Sequence, residues 1–195
     1  MRKEIFYTGG YFHVYNRGVD RRSIFNDDID RFRFIKNTSR LAEKNFVRIL
    51  CYCLMSNHFH FLLRQQIEDG ISKFMHGLGT GYTKYFNIRT ARSGSLFEGP
   101  FKAKEVNSDG YLFSLSRYIH LNPINAIEPG WKTRGLRDID QIKNYLRTYP
   151  WSSYQDYLDL WTTRFIDKDV LPEYFTGPND YENFVSSWSA GQVLF

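Results

Sequence analysis

His58 and His60 sit two residues apart in the stretch Leu54-Met55-Ser56-Asn57-His58-Phe59-His60-Phe61-Leu62-Leu63. Side chains alternate across a strand, so both histidines project to one side while Phe59, Phe61 and Leu63 project into an apolar layer on the other. The chain must therefore build a sheet with a core behind this strand and two imidazoles on its opposite face. Two such rings are half a metal site, or else a pair of strand histidines hydrogen-bonded to their neighbours. What decides between these readings is what the rest of the chain brings to that face.

The flanking sequence supplies the sheet. Residues 10–17 alternate, with Tyr11, His13, Tyr15 and Arg17 on one side and Phe12 and Val14 on the other, which predicts a first strand. Asn26 is suited to cap a helix whose acidic first turn complements the positive dipole end. That helix runs to about residue 43, with Phe32, Phe34, Ile35 and Leu41 on its apolar side. Residues 46–55 and 57–65 read as two strands joined by a tight turn at Ser56 and Asn57. Phe74, Leu78, Tyr82, Tyr85 and Phe86 recur at helical spacing within residues 70–90. Gly77, Gly79 and Gly81 interrupt this helix at about 1 kcal/mol each, and mark a kink or a place where backbone approaches a ligand. A fourth strand over 95–106 bends at Gly99 and Pro100. A third helix over 110–121, opened by Ser108 and Asp109, ends at Asn122 because the residue before a proline avoids the helical region.

This order predicts an α+β fold, a ferredoxin-like or RRM-like antiparallel four-stranded sheet with helices on one face. Residues 1–125 would form that domain, and residues 126–195 an ordered, mainly helical appendage packed on it, since Trp131, Trp151, Trp161 and Trp188 demand burial. Cys51 and Cys53 lie too close along one strand for an ordinary disulfide and read as reduced core thiols. No apolar signal stretch or span of about 20 apolar residues is present, which predicts a cytoplasmic protein with no membrane partner.

Charge points to the partner. Residues 1–125 carry 19 Lys and Arg against 11 Asp and Glu, whereas residues 126–195 carry 7 against 10, so the basic part coincides with the histidine strand. A positive body of this kind favours a polyanion, nucleic acid before membrane, because its charges are not gathered on an amphipathic helix. Arg17, Arg21, Arg22, Lys84, Arg89, Arg92, Lys102 and Lys104 are the predicted phosphate contacts. The abundant aromatic rings are available either for packing or for stacking on bases.

On the third helix, Tyr118 and Asn122 are four apart and share a face. If that helix packs over the histidine strand, the amide oxygen of Asn122 completes a two-nitrogen, one-oxygen site for a divalent metal. Mg²⁺ or Mn²⁺ suits mixed ligands with open positions for phosphate, while imidazoles also accept other metals. Tyr118 would be the nucleophile; a free phenol, with a pKa of about 10, needs a nearby cation to become one. Lone His13 reads as structural or as part of the site, His120 as structural or DNA-facing, Arg117 as a phosphate contact or an exposed helix arginine, and Glu98 as a salt-bridge partner.

Four segments occur in order: Asn57-His58-Phe59-His60, Tyr85-Phe86-Asn87 through Gly94-Ser95-Leu96-Phe97-Glu98-Gly99, Arg117-Tyr118-Ile119-His120-Leu121-Asn122-Pro123, and Pro150-Trp151-Ser152-Ser153-Tyr154. Together they resemble the single-tyrosine HUH transposases, and most closely the REP-associated tyrosine transposases of bacteria, over residues 11–157. The resemblance implies a metal-dependent endonuclease and strand transferase that nicks and rejoins single-stranded DNA beside a hairpin through a 5′-phosphotyrosine. It assigns His58 and His60 to the metal, Tyr118 to the nucleophile, and Asn122 to the third ligand, where mobile relatives often have glutamine. Gly99-Pro100-Phe101-Lys102 departs from the commoner Gly-Arg-Phe-Lys, so the phosphate contact that the resemblance implies there does not carry over to Pro100. A monomer is favoured over a dimer, because the tail is able to cover a sheet edge. The competing reading is a binding module on the same fold that recognises hairpin or single-stranded nucleic acid without cutting it.

Overall fold

A computed structural model describes residues 4–189. Its centre is one antiparallel sheet built from β1 (Tyr11–Arg17), β2 (Val47–Leu54), β3 (His58–Gln65) and β4 (Lys102–Val106), in the spatial order β2-β3-β1-β4. This is the predicted ferredoxin-like arrangement. Period-two alternation divides the sheet into two layers. Phe12, Val14, Phe59, Phe61 and Leu63 face a core closed by α1 (Asp28–Lys44) and α2 (Gly70–Arg89). The opposite face carries His13, Tyr15 and Arg17 beside His58, His60 and Leu62. A bulge between Ile49 and Cys51 turns both Leu50 and Cys51 toward this second face. Both cysteines are free and buried.

The expected helices on one face are α1 and α2. The third helix, α3 (Asp109–Leu121), lies on the other, with Leu112, Leu115 and Ile119 packed on Cys51, Cys53 and Leu62. Strand 95–106 is shorter than predicted. Pro100 has no N–H to give a ladder, and residues 95–101 form a loop that bonds beyond the end of β1, through Val19 N–H to the Leu96 carbonyl and Glu98 N–H to the Arg17 carbonyl. The cap of α1 is Asp27 rather than Asn26: its carboxylate accepts from Asp30 N–H at 3.1 Å, and Asp30 reaches back to accept from Asn26 N–H at 2.8 Å. Phe32 lies outside the α1 core face and is exposed, its ring edge-on to Trp151. The α2 glycines produce no break. Gly77 sits against Leu41 of α1, where an added Cβ would come within 3.3 Å, so two helices approach closely there.

Past α3, a 3-10 turn (Asn122–Ala126) leads to α4 (Trp131–Arg134), α5 (Ile139–Thr148), α6 (Tyr154–Tyr157) and α7 (Pro178–Ser186). Trp131, Trp151 and Trp188 are buried, but Trp161 is exposed, against expectation. This segment covers the outer edge of β2: Leu54 N–H donates to the Trp151 carbonyl, Ser153 N–H to the Tyr52 carbonyl, and Asp167 N–H to the Ile49 carbonyl. An otherwise open row of strand donors and acceptors is thereby satisfied within the chain. Among the described residues no helix is long and apolar enough to cross a membrane.

His120 ties these parts together. Its Nδ1 lies 2.6 Å from the Tyr181 hydroxyl of α7 and its Nε2 lies 2.8 Å from Ser153 Oγ, which in turn accepts from Tyr52 N–H of β2 at 2.9 Å. Burial pushes the imidazole down to about 3, so one ring nitrogen donates and the other accepts. The structural reading of His120 holds. Replacing it removes both buried hydrogen bonds that join α3 to α7 and to Ser153 and leaves a cavity, so His120→Ala should lower stability by about 2–3 kcal/mol, read as a lower urea midpoint; a change under about 0.5 kcal/mol would show that the network does not hold α3.

Candidate active site

Antiparallel pairing of β1 with β3 sets Tyr15 opposite His60 and Arg17 opposite His58. The two β3 imidazoles therefore share their face with the β1 side chains, and α3 lies above them. Tyr118 comes down from α3 with its ring 5.5 Å from that of His60 and 6.3 Å from that of His13, both edge-on. The nucleophile candidate and the histidine pair are brought together by a single chain.

Each histidine is oriented by a second group. His58 Nδ1 lies 2.7 Å from Asn57 Oδ1, and His60 Nδ1 lies 2.9 Å from His13 Nε2. No hydrogen bond to the Nε2 of His58 or of His60 is made among the described residues. Burial, with the charges of Lys132 and Arg17 adding to it, lowers the His58 ring to about 4, and burial with Lys104 and Lys132 lowers the His13 ring to about 3. Burial also holds His60 well below the ordinary imidazole value, with the charges of His13, His58 and Lys132 adding to it. At neutral pH all three rings are uncharged, which is the ligand form of imidazole.

Lys132, from the start of α4, is the residue the sequence did not disclose. Its Nζ donates to the Tyr118 hydroxyl at 2.9 Å, lies 4.4 Å from the centre of that ring, and reaches Asn122 Oδ1 at 3.5 Å. Asn122 is buried and donates through Nδ2 to the Tyr118 carbonyl at 2.8 Å. It thus locks the end of α3 beneath the tyrosine, while exposed Asn125 lines the open cavity. That cavity, of about 400 Å³, is bounded by His58, His60, Tyr118, Arg17, Lys102 and Lys132 among others. A second of about 240 Å³, which includes Lys104, shares Tyr15, His60 and Tyr118 with it.

The predicted basic residues divide. Arg17 is at the site, its Nε 2.7 Å from Glu98 Oε1, and the pairing lowers the Glu98 carboxyl below its ordinary value. Arg21 is exposed, and its carbonyl accepts from the Asn57 side chain beside His58. Arg22 is half-buried at the end of the same turn. Lys102 and Lys104 line the two cavities. Lys84 lines a separate cavity on the α2 side. Arg89 is committed elsewhere, forked between Asp27 and Asp30 at the start of α1, and Arg92 is half-buried in the loop after α2, its N–H donating to the Asn87 carbonyl. Arg117 is neither a phosphate contact nor an exposed arginine: it is buried, with its guanidinium 4.7 Å from the Phe184 ring and 5.1 Å from the Trp188 ring.

The fold thus sets paired imidazoles on one face of a four-stranded antiparallel sheet beneath an overlying tyrosine. Residues 6–122 match the family described as "Transposase IS200 like", three-fifths of the chain, and the protein belongs to that family. Its fold is similar to that of a REP-associated tyrosine transposase solved bound to a REP hairpin, at 14% identity and TM-score 0.57, covering 86% of this chain and 94% of that one. A Deinococcus radiodurans protein described as a candidate transposase aligns at 16% identity and TM-score 0.43, covering 61% of this chain and 95% of that one. A search of curated proteins returns no significant match.

Because the Lys132 charge helps to hold His58 down, Lys132→Met should raise the His58 midpoint from about 4 toward, but not to, the ordinary imidazole range. Burial, the larger cause, remains. A pH titration of the ring carbon-bound protons by NMR, in chelator, reads this directly; an unmoved midpoint would mean that Lys132 does not reside over the site in solution.

Proposed function

We propose that this chain nicks and rejoins single-stranded DNA beside a hairpin, using Tyr118 as the nucleophile and a divalent cation, Mg²⁺ or Mn²⁺, as cofactor. The observation that carries the reading is the Lys132 ammonium on the Tyr118 hydroxyl, directly beside the neutral His13–His60 pair. A positive charge stands where negative charge develops as the phenol loses its proton. The phenolic oxygen attacks phosphorus, the bond to the 3′ oxygen breaks, the phenol's proton leaves to solvent, and the 3′ oxygen takes up a proton. The 5′-phosphotyrosine conserves a phosphodiester, so a 3′-hydroxyl is able to reverse the exchange without an energy-rich cofactor.

The residues fit a metal. His58 and His60 are neutral, each has its Nδ1 committed, and each retains Nε2 for ligation. Among the described residues no cluster of three or more His, Cys, Asp and Glu side chains is arranged to hold an ion; in this reading the third protein ligand is an amide. Asn122 supplies it once its Oδ1 is released from Lys132. When bound, the cation polarises the scissile phosphate and offsets charge on the departing oxygen. Asn57 and His13 fix the ring orientations on which that ligation depends. Arg17, Arg21, Lys102 and Lys104 take the neighbouring phosphates, and a monomer suffices because histidines and tyrosine come from one chain.

Incubation with labelled hairpin DNA bearing single-stranded flanks and Mn²⁺ should give a protein–DNA adduct that survives denaturation. The adduct should vanish in chelator and in Tyr118→Phe, while Tyr118→Phe retains binding. Binding without any adduct across a varied pool of hairpins would instead support a recognition module that does not cut. The logarithm of affinity should fall by roughly 0.7 per contacted phosphate against the logarithm of salt concentration; a salt-independent affinity would remove the phosphate contacts from the reading.

A further inference from the structure

A cavity larger than the one over the histidines lies elsewhere in the molecule. It encloses about 630 Å³ between α2 and the loop of residues 95–101, within the range of about 300–1,000 Å³ common for small-molecule sites. Phe34, Phe59, Phe97 and Phe101 give it aromatic walls. From α2 it receives His76, Gly79, Thr80, Thr83 and Lys84, positions spaced by three and four that present one continuous helical face. Gly79 lies mid-way along that face, and a Cβ there would meet nothing within 4 Å. The helix wall is therefore open where a side chain would otherwise fill it.

Two features select the occupant. The lining includes Lys84 but no carboxylate, which suits a ligand with an apolar body and an attached anion. The cavity also adjoins the catalytic one: Asn16 lines both, and its Nδ2 donates to the Gly99 carbonyl at 3.1 Å, pinning the loop between them. Phe59 lines this cavity from one layer of the sheet while His58 and His60 line the other from the opposite layer, and the two meet at Asn16, past the end of β4. The partly exposed Phe101 ring offers a face on which any base can stack, and Thr80 and Thr83 bring hydroxyl groups to the same lining.

We infer that the cavity between α2 and the 95–101 loop binds one unpaired nucleobase of the DNA strand, next to the phosphate that Tyr118 attacks. Lys84 faces the backbone of that nucleotide, and the bare helix wall at Gly79 makes room for the base. The inference rests on the reading of single-stranded DNA as substrate.

The test is Gly79→Leu, which builds into open space and replaces a poor helix former by a good one, so its thermal midpoint should not fall. Hairpin oligonucleotides carry 2-aminopurine at each unpaired position in turn, and fluorescence is read on binding in chelator. In the wild-type protein one position should respond, and an abasic site there should weaken binding about tenfold. In folded Gly79→Leu that response should be lost and the abasic site should cost nothing further. The inference is overturned if no position responds although the oligonucleotide binds, or if Gly79→Leu keeps the full response. The adduct assay separates the two readings: a base response without an adduct sinks the nuclease and leaves the subsite, whereas an adduct without a base response does the reverse.

Discussion

The imidazole of His120 touches a hydroxyl of α7 on one side and a serine bonded to β2 on the other, and it belongs to the helix that carries Tyr118. A phenol placed over two strand histidines works as a nucleophile only if its helix cannot slide, since an error of about 1 Å is costly in rate. Hydrophobic packing of α3 on Cys51, Cys53 and Leu62 sets its distance from the sheet but is tolerant of small rotations. Hydrogen bonds are directional and fix rotation. The Ser152–Ser153 segment thus acts at a distance from the chemistry, through backbone pairing with the β2 edge and through one imidazole.

Electrostatics at the site follow from burial. Three neutral imidazoles lie among Arg17, Lys102, Lys104 and Lys132, and the one carboxylate bounding the 400 Å³ cavity, Glu98, is paired with Arg17. Such a pocket has an excess of positive charge over poorly solvated groups, which favours an anion more strongly than the same charges would in water. The Arg89 guanidinium, by contrast, is consumed by Asp27 and Asp30 and holds the start of α1 to the end of α2. Equal formal charges therefore play unequal parts, depending on whether a carboxylate lies within reach.

Much of the architecture was legible because period-two alternation is strict. It assigned His58 and His60 to one face and Phe59 and Phe61 to the other, whereas the spacing of Tyr118 and Asn122 put both on one helix face without saying that the helix lies over the histidines, as it does. His13 was legible in principle: once β1 is placed beside β3, Tyr15 falls opposite His60 and His13 falls on the adjacent diagonal. Lys132 was not, since it lies in the segment with a net acidic balance and reaches Tyr118 only because the 3-10 turn at Asn122–Ala126 brings α4 back under α3. Arg89 and Arg117 were misread for a common reason. Their partners lie 62 and 59 residues away for Arg89, and in the distant tail for Arg117, and local sequence carries no trace of such pairings.

The covering of β2 bears on how many chains a site requires. An open edge of a four-stranded sheet is a template for a second copy, but here Trp151, Ser153 and Asp167 bond to it from the same chain. A partner pairing there would have to strip away the segment that also anchors His120, and with it the hold on α3. Edge protection and the placement of Tyr118 are thus properties of one piece of chain. A second copy could gain the β2 edge only by loosening the helix that bears Tyr118.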